Sequence, residues 1–146
     1  MNFKKLFISI LIPLIVGGIV AFITMPFMDY KSLEQPPLSP PSFLFPIVWT
    51  ILYVLMGISA YLVSKKNDIP VIYYIQLGVN ALWSIIFFIF KWRLFAFIWI
   101  ILLIILVILM IIHFYKIDKA AAYLQIPYLL WILFASYLNL GIYLLN

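Results

Sequence analysis

Three short series of residues stand at helical spacing and carry most of the chain's chemical possibilities. Trp49, Tyr53, Met56 and Ala60 follow one another at intervals of four, three and four, and Gln76, Asn80, Trp83 and Phe87 repeat that pattern. Tyr128, Trp131, Ala135 and Asn139 follow at three, four and four. Each series lies on one face of a helix. Three such faces turned toward one another make a cavity for a flat, largely apolar ligand with a few polar handles. The same spacing suits plain packing. Asn and Gln in membrane helices hydrogen-bond across interfaces, and Trp and Tyr near helix ends anchor at the membrane surface. Spacing alone leaves both readings open.

Other chemistries lack their residues. The chain has no cysteine, which removes disulfides, thiol nucleophiles and thiolate metal sites together. All four acids, Asp29, Glu34, Asp68 and Asp118, fall in predicted loops. A proton-coupled exporter normally needs a carboxylate at membrane depth, so that mechanism is disfavoured. The one histidine, His113, is expected at a helix end in an interfacial role, and no cluster of ligands for a metal forms around it. No nucleophile–base set, paired carboxylates or glycine-rich phosphate loop can be assembled.

The elements that must position these faces are transmembrane helices. Of 146 residues, 68% are hydrophobic and 9% charged, and mean hydropathy is +1.26. A soluble domain carries about 25% charged residues, so the apolar excess must face lipid. Five segments reach the roughly 20 apolar residues a spanning helix needs. They run from about Leu6 to Met25, Phe43 to Val63, Ile69 to Phe90, Leu94 to His113 and Ala120 to Leu145. Together they predict an all-α, five-helix membrane bundle, a single domain over residues 1–146. The first segment is too long for a signal peptide and no small-x-small site follows Ile23-Thr24-Met25, so it reads as a retained helix. Within it, Gly17 and Ala21 form a small-xxx-small pair that permits close helix approach. The fourth segment has no polar residue before His113 and is expected to be the most lipid-exposed.

The loops set topology. Those after the second, third and fourth helices are short and make antiparallel neighbours. The first, from Pro26 to Ser42, contains Pro36, Pro37, Pro40 and Pro41 and cannot continue a helix. It is long enough to fold back over one mouth of the bundle. Lys4, Lys5, Lys65, Lys66, Lys116 and Lys119 fall on one side, and Lys31, Lys91 and Arg93 on the other. The positive-inside rule then places the N-terminus in the cytoplasm and the proline-rich loop outside. The net charge of +5 is spread through these juxtamembrane clusters, facing lipid head groups rather than nucleic acid.

The same residues carry a resemblance. The run Pro40-Pro41-Ser42-Phe43-Leu44-Phe45-Pro46-Ile47-Val48-Trp49-Thr50-Ile51-Leu52-Tyr53 closely resembles the second-helix signature of the TspO/translocator protein family, the tryptophan-rich sensory proteins and peripheral benzodiazepine receptors. Gln76-Leu77, Asn80, Trp83 and Phe87-Phe88 match its third helix, and Pro127-Tyr128-Leu129, Trp131, Phe134-Ala135 and Leu138-Asn139 its fifth. The resemblance implies a homodimeric bundle whose pocket is capped by the first loop. It implies binding of protoporphyrin IX, haem and isoquinoline- or benzodiazepine-type drugs, with no further cofactor. In bacterial members it implies light- and oxygen-dependent porphyrin degradation. A carrier or ligand sensor without turnover is the alternative.

Carried over position by position, the resemblance implies ligand-binding roles for Tyr30, Pro40, Trp49, Asn80, Trp83, Phe87, Trp131, Ala135 and Asn139. Stacking and redox roles fall to Trp49 and Trp131, and Asn80 and Asn139 are expected to meet the ligand's polar edge. The chain departs from the family at two places. Leu38-Ser39 stands where a Trp-His pair is common, and no Lys or Arg follows Tyr143, so the animal sterol motif is missing. A bacterial plasma-membrane protein is the reading that follows.

Overall fold

The computed structural model describes residues 2–146, and their regular structure is entirely helical. Helix α1 spans Phe3–Thr24, α2 Leu44–Ser64, α3 Val71–Ser84, α4 Arg93–Ile117, α5 Lys119–Leu124 and α6 Ile126–Leu145. A π-helical turn, Ile85–Ile89, prolongs α3, and α5 with α6 makes one crossing, so five segments are long and apolar enough to span a membrane.

Local chemistry explains where the elements begin and break. The Asn2 side chain accepts a hydrogen bond from the Lys5 N–H and starts α1 earlier than hydropathy predicts. Asp118 does the same for α5 through the Ala121 N–H at 3.0 Å. The expected continuous fifth helix is instead broken at Gln125. Pro127 has no N–H to donate and sits in the first turn of α6, where none is needed. Helix α4 runs four residues beyond His113, which is therefore inside a helix rather than at its end. Between α3 and α4 the chain reverses over Phe90–Trp92, with Lys91 in the left-handed region at φ 58°.

Around the bundle the order is α1, α2, the α5–α6 crossing, α4, α3 and back to α1. Gly57 lets α2 approach the α1 backbone, because a Cβ there would lie 2.4 Å from the Ile10 Cα. The expectation that the fourth helix is the most lipid-exposed is overturned. Helix α4 buries Ala96, Ile100, Leu103, Val107, Met110 and Phe114 against its neighbours. The most exposed is α1, with only 6% of its apolar window buried against 33% for α4. Apolar composition signals tolerance of lipid, which α4 has, but it does not decide which helix meets lipid.

The two ends of the bundle are distinct. At one, Lys66 pairs with Asp118 at 3.0 Å, and the Asn2 N–H donates to the Tyr61 hydroxyl at 2.8 Å. At the other, Asp29 of the first loop meets Arg93 at the start of α4. The half of the bundle near Lys66 is closed by packed side chains, among them Met56, Ala60, Val63, Tyr73, Phe114 and Ala121. The half under the first loop is hollow.

Candidate functional site: an aromatic pocket under a proline-rich lid

The cavity has a volume of about 720 Å³. Helix α1 lines it with Gly17, Val20, Ala21 and Thr24, and α2 with Phe45, Pro46, Trp49 and Tyr53. Asn80, Trp83, Ser84, Phe87 and Phe88 come from α3 and its π-helical extension, and Trp131, Ala135, Leu138, Asn139 and Ile142 from α6. The first loop covers it with residues from Met28 to Ser32. The cavity is thus walled largely by rings and aliphatic carbon, with few polar groups. That composition suits a flat apolar molecule oriented by a small number of polar contacts.

Eight of the nine ligand-binding candidates line the cavity: Tyr30, Trp49, Asn80, Trp83, Phe87, Trp131, Ala135 and Asn139. Pro40 does not. Its carbonyl accepts a 2.9 Å hydrogen bond from the Tyr30 hydroxyl, so it holds the lid's one buried tyrosine in place. Burial raises the Tyr30 hydroxyl above its ordinary pKa, opposed by a hydrogen bond with Ser39. It therefore stays a neutral donor throughout the physiological range.

The two asparagines also brace their neighbours. Asn80 accepts from the Tyr53 hydroxyl at 2.9 Å and donates to the Tyr128 hydroxyl at 2.7 Å, and Tyr128 donates on to Gln76 at 2.8 Å. Asn139 accepts from the Trp83 indole N–H at 3.0 Å and donates to the Arg93 carbonyl at 2.8 Å. Each amide already spends a donor and an acceptor on its neighbours. These bonds fix Tyr53, Tyr128 and Trp83, and each amide keeps a second N–H and a second lone pair while lining the cavity. Gln76, Met56, Ala60 and Tyr128 share the predicted inward faces but lie beneath the cavity, in the packed half. The spacing thus corresponds to a cavity in one half of the bundle and to plain packing in the other.

The rings brace one another, some edge to face and some stacked or tilted. Phe45 meets Trp131 at 5.9 Å and Tyr30 at 5.0 Å, and Trp83 stacks on Phe87 at 5.1 Å. Trp49 is held between Tyr53 at 5.6 Å and Tyr128 at 6.3 Å. Such pairs contribute roughly 0.5–1.5 kcal/mol each beyond area burial, and they hold the indoles in place before a ligand arrives. Gly17 makes room for this arrangement, because a Cβ there would fall 2.3 Å from the Tyr53 ring.

The lid is strapped to the bundle at points that hydropathy could not disclose. Asp29 takes both its oxygens to Arg93 Nη2 at 2.8 Å, with Lys91 at 3.7 Å. The Arg93 guanidinium also lies 4.8 Å from the Phe87 ring, so the strap and the pocket wall share a residue. Toward the end of α6, the Tyr137 hydroxyl donates to the Pro37 carbonyl at 2.6 Å, and the Asn146 side chain bonds both backbone groups of Glu34. Gly141 lets Pro36 sit against the helix, since a Cβ there would lie 2.5 Å from the proline ring. A sequence signal existed for part of this: two acids in the first loop, Asp29 and Glu34, on the same side as the cations Lys91 and Arg93 of the third. Among the described residues no cluster of potential ligands could hold a metal ion.

These features define a multi-pass membrane protein with an aromatic binding pocket closed by a loop lid. The chain matches the TspO/MBR family model over residues 9–145 and belongs to that family. It is 44% identical to the tryptophan-rich protein TspO of Archaeoglobus fulgidus, over 100% of this chain and 99% of that one. It is 32% identical to protein CrtK of Rhodobacter capsulatus, covering 89% and 86% of the two chains. The human translocator protein is 32% identical over 75% of this chain and 70% of its own length.

Proposed function

We propose that this protein binds tetrapyrroles of the protoporphyrin IX or haem type in the lidded pocket and promotes their light- and oxygen-dependent degradation. The observation that carries the reading is the placement of Trp49 and Trp131, on α2 and α6, in the wall of one 720 Å³ cavity. A porphyrin is flat and apolar over its faces, and offset contact with indoles suits it. In light the excited pigment takes an electron from a neighbouring indole and passes it to dioxygen as superoxide. The indole radical cation then recovers an electron from the ground-state pigment, whose radical cation combines with the superoxide. The net change is addition of dioxygen to the macrocycle. Trp49 and Trp131 are the donors in this scheme. The same cavity suits fused-ring drugs of the isoquinoline and benzodiazepine type. The membrane in question is the plasma membrane, with the lid on the outer side.

Illumination of the purified protein with protoporphyrin IX in air, beside a dark sample, tests this. The Trp49→Phe/Trp131→Phe variant keeps flat rings and is expected to bind with affinity within a few-fold of the wild type. It is expected to lose light-driven conversion to a new protein-bound pigment. Equal conversion by the variant removes the redox role, and absence of binding by the wild type removes the tetrapyrrole reading.

A further inference from the structure

The cavity is apolar through most of its depth, but one wall of its mouth carries charge. Asp29, Lys31 and Ser32 all line it there. Asp29 is neutralised by Arg93 at 2.8 Å and by Lys91 at 3.7 Å. Lys31 is exposed and makes no ion pair, so it is the one uncompensated charge among the described residues that line the cavity. Its position is fixed from both sides. It sits in the 3-10 turn Tyr30–Ser32, where the Tyr30 hydroxyl is bonded to Pro40, the Tyr30 carbonyl accepts from Gln35, and the Ser32 hydroxyl donates to the Asp29 carbonyl.

From this arrangement we infer that Lys31 is a specificity-determining residue that selects ligands bearing a carboxylate at one edge of an otherwise apolar body. The inference rests on the tetrapyrrole reading and narrows it to the free acids. A rigid backbone limits where the ammonium can go, and its flexible stem lets it follow an anionic group at the rim. The ion pair forms at the edge of a low-dielectric cavity, where attraction exceeds that in bulk water but solvent still screens it. A neutral ligand of the same shape has nothing to gain from Lys31 and buries the same rings.

The test compares protoporphyrin IX with its dimethyl ester, which keeps the macrocycle and removes both charges. Binding is measured by tryptophan quenching in a neutral maltoside detergent, so that no anionic lipid competes. The wild type is expected to prefer the diacid. Lys31→Gln is expected to weaken the diacid about fivefold and Lys31→Glu about tenfold or more, the range of one partly screened ion pair lost or reversed. Ester binding stays within about twofold in both, which also shows that the variants are folded. Lys4→Glu makes the same change of net charge at the opposite end of the bundle and is expected to leave both affinities unchanged. Equal loss of diacid binding in Lys4→Glu, or none in Lys31→Glu, overturns the inference while the tetrapyrrole reading stands. Failure of the wild type to bind either pigment overturns the tetrapyrrole reading and this inference with it.

Discussion

Removing the carboxylate of Asp29 should loosen the lid while leaving the bundle intact. The pair it forms with Arg93 is neither fully exposed nor fully buried, with side chains 21% and 12% accessible. Hydrogen bonds to charged groups contribute about 1.5–3 kcal/mol, and the exposed Lys91 contact at 3.7 Å adds little. Asp29→Ala therefore favours the open lid by about 1.5–3 kcal/mol. At roughly 1.4 kcal/mol per factor of ten, this raises the open population about ten- to hundredfold. Asp29→Asn keeps an acceptor, loses the charge and should fall between. Hydrogen exchange in detergent reads this directly. The Ser32 and Leu33 amides donate to the Asp29 and Tyr30 carbonyls, so they exchange only when the turn opens. They are expected to exchange ten- to hundredfold faster in Asp29→Ala, with the central amides of α4 unchanged. Unchanged exchange at Ser32 and Leu33 would refute the strap. Equal acceleration throughout α4 would show that the pair supports the whole bundle instead.

Other perturbations probe the rest of the architecture. Gly57→Ala forces a Cβ into the backbone of Ser9 and Ile10 and should lower stability by about 1–3 kcal/mol, seen as a lower unfolding temperature in detergent. Asn139→Leu strands the Trp83 indole N–H, and should cost about 1–3 kcal/mol while changing the Trp83 emission. Asp118→Ala removes the α5 cap and the Lys66 partner, and should cost about 1 kcal/mol at neutral pH. The hydrogen bond from Lys66, then that from the Ala121 N–H, holds the Asp118 carboxyl below its ordinary pKa. Its contribution is therefore complete above about pH 4 and fades as pH falls through the lowered value. The stability gap between Asp118→Ala and the wild type should accordingly be flat from pH 5 to 8 and narrow below about pH 4, read by thermal melts across that range.

What could be read from the sequence, and what could not, follows from how a membrane treats each atom. A polar side chain at membrane depth has only one favourable direction, inward, so the faces bearing Asn80, Tyr128 and Asn139 were legible from spacing. The partner on the neighbouring helix is invisible to spacing. The bonds that Asn80 and Asn139 make to Tyr53, Tyr128, Trp83 and Arg93 could therefore not be read there. Apolar side chains carry no such direction, because lipid and protein interior are alike to an isoleucine. Helix α4 was misjudged for that reason, and small Ala96, fully buried, is the sort of residue that lets neighbours pack closely. The break at Gln125 was signalled by Pro127 but masked by the hydropathy that runs through it.

The lid was legible from its prolines as something other than a helix, and its straps were not, because Asp29 and Arg93 are joined across 64 residues of chain. Once these bonds are drawn, several buried polar groups of the pocket, Tyr53, Asn80, Trp83 and Asn139 among them, are seen to hold its walls. What remains for a ligand is a set of fixed aromatic faces, the buried and unpartnered indole N–H of Trp131 and, at the mouth, Lys31, which makes no ion pair. Affinity in such a site comes from ring area, which many flat molecules share. Selection by charge falls to the one unpaired cation among the lining residues, and that is why the diacid and ester should part company at Lys31 rather than at either tryptophan.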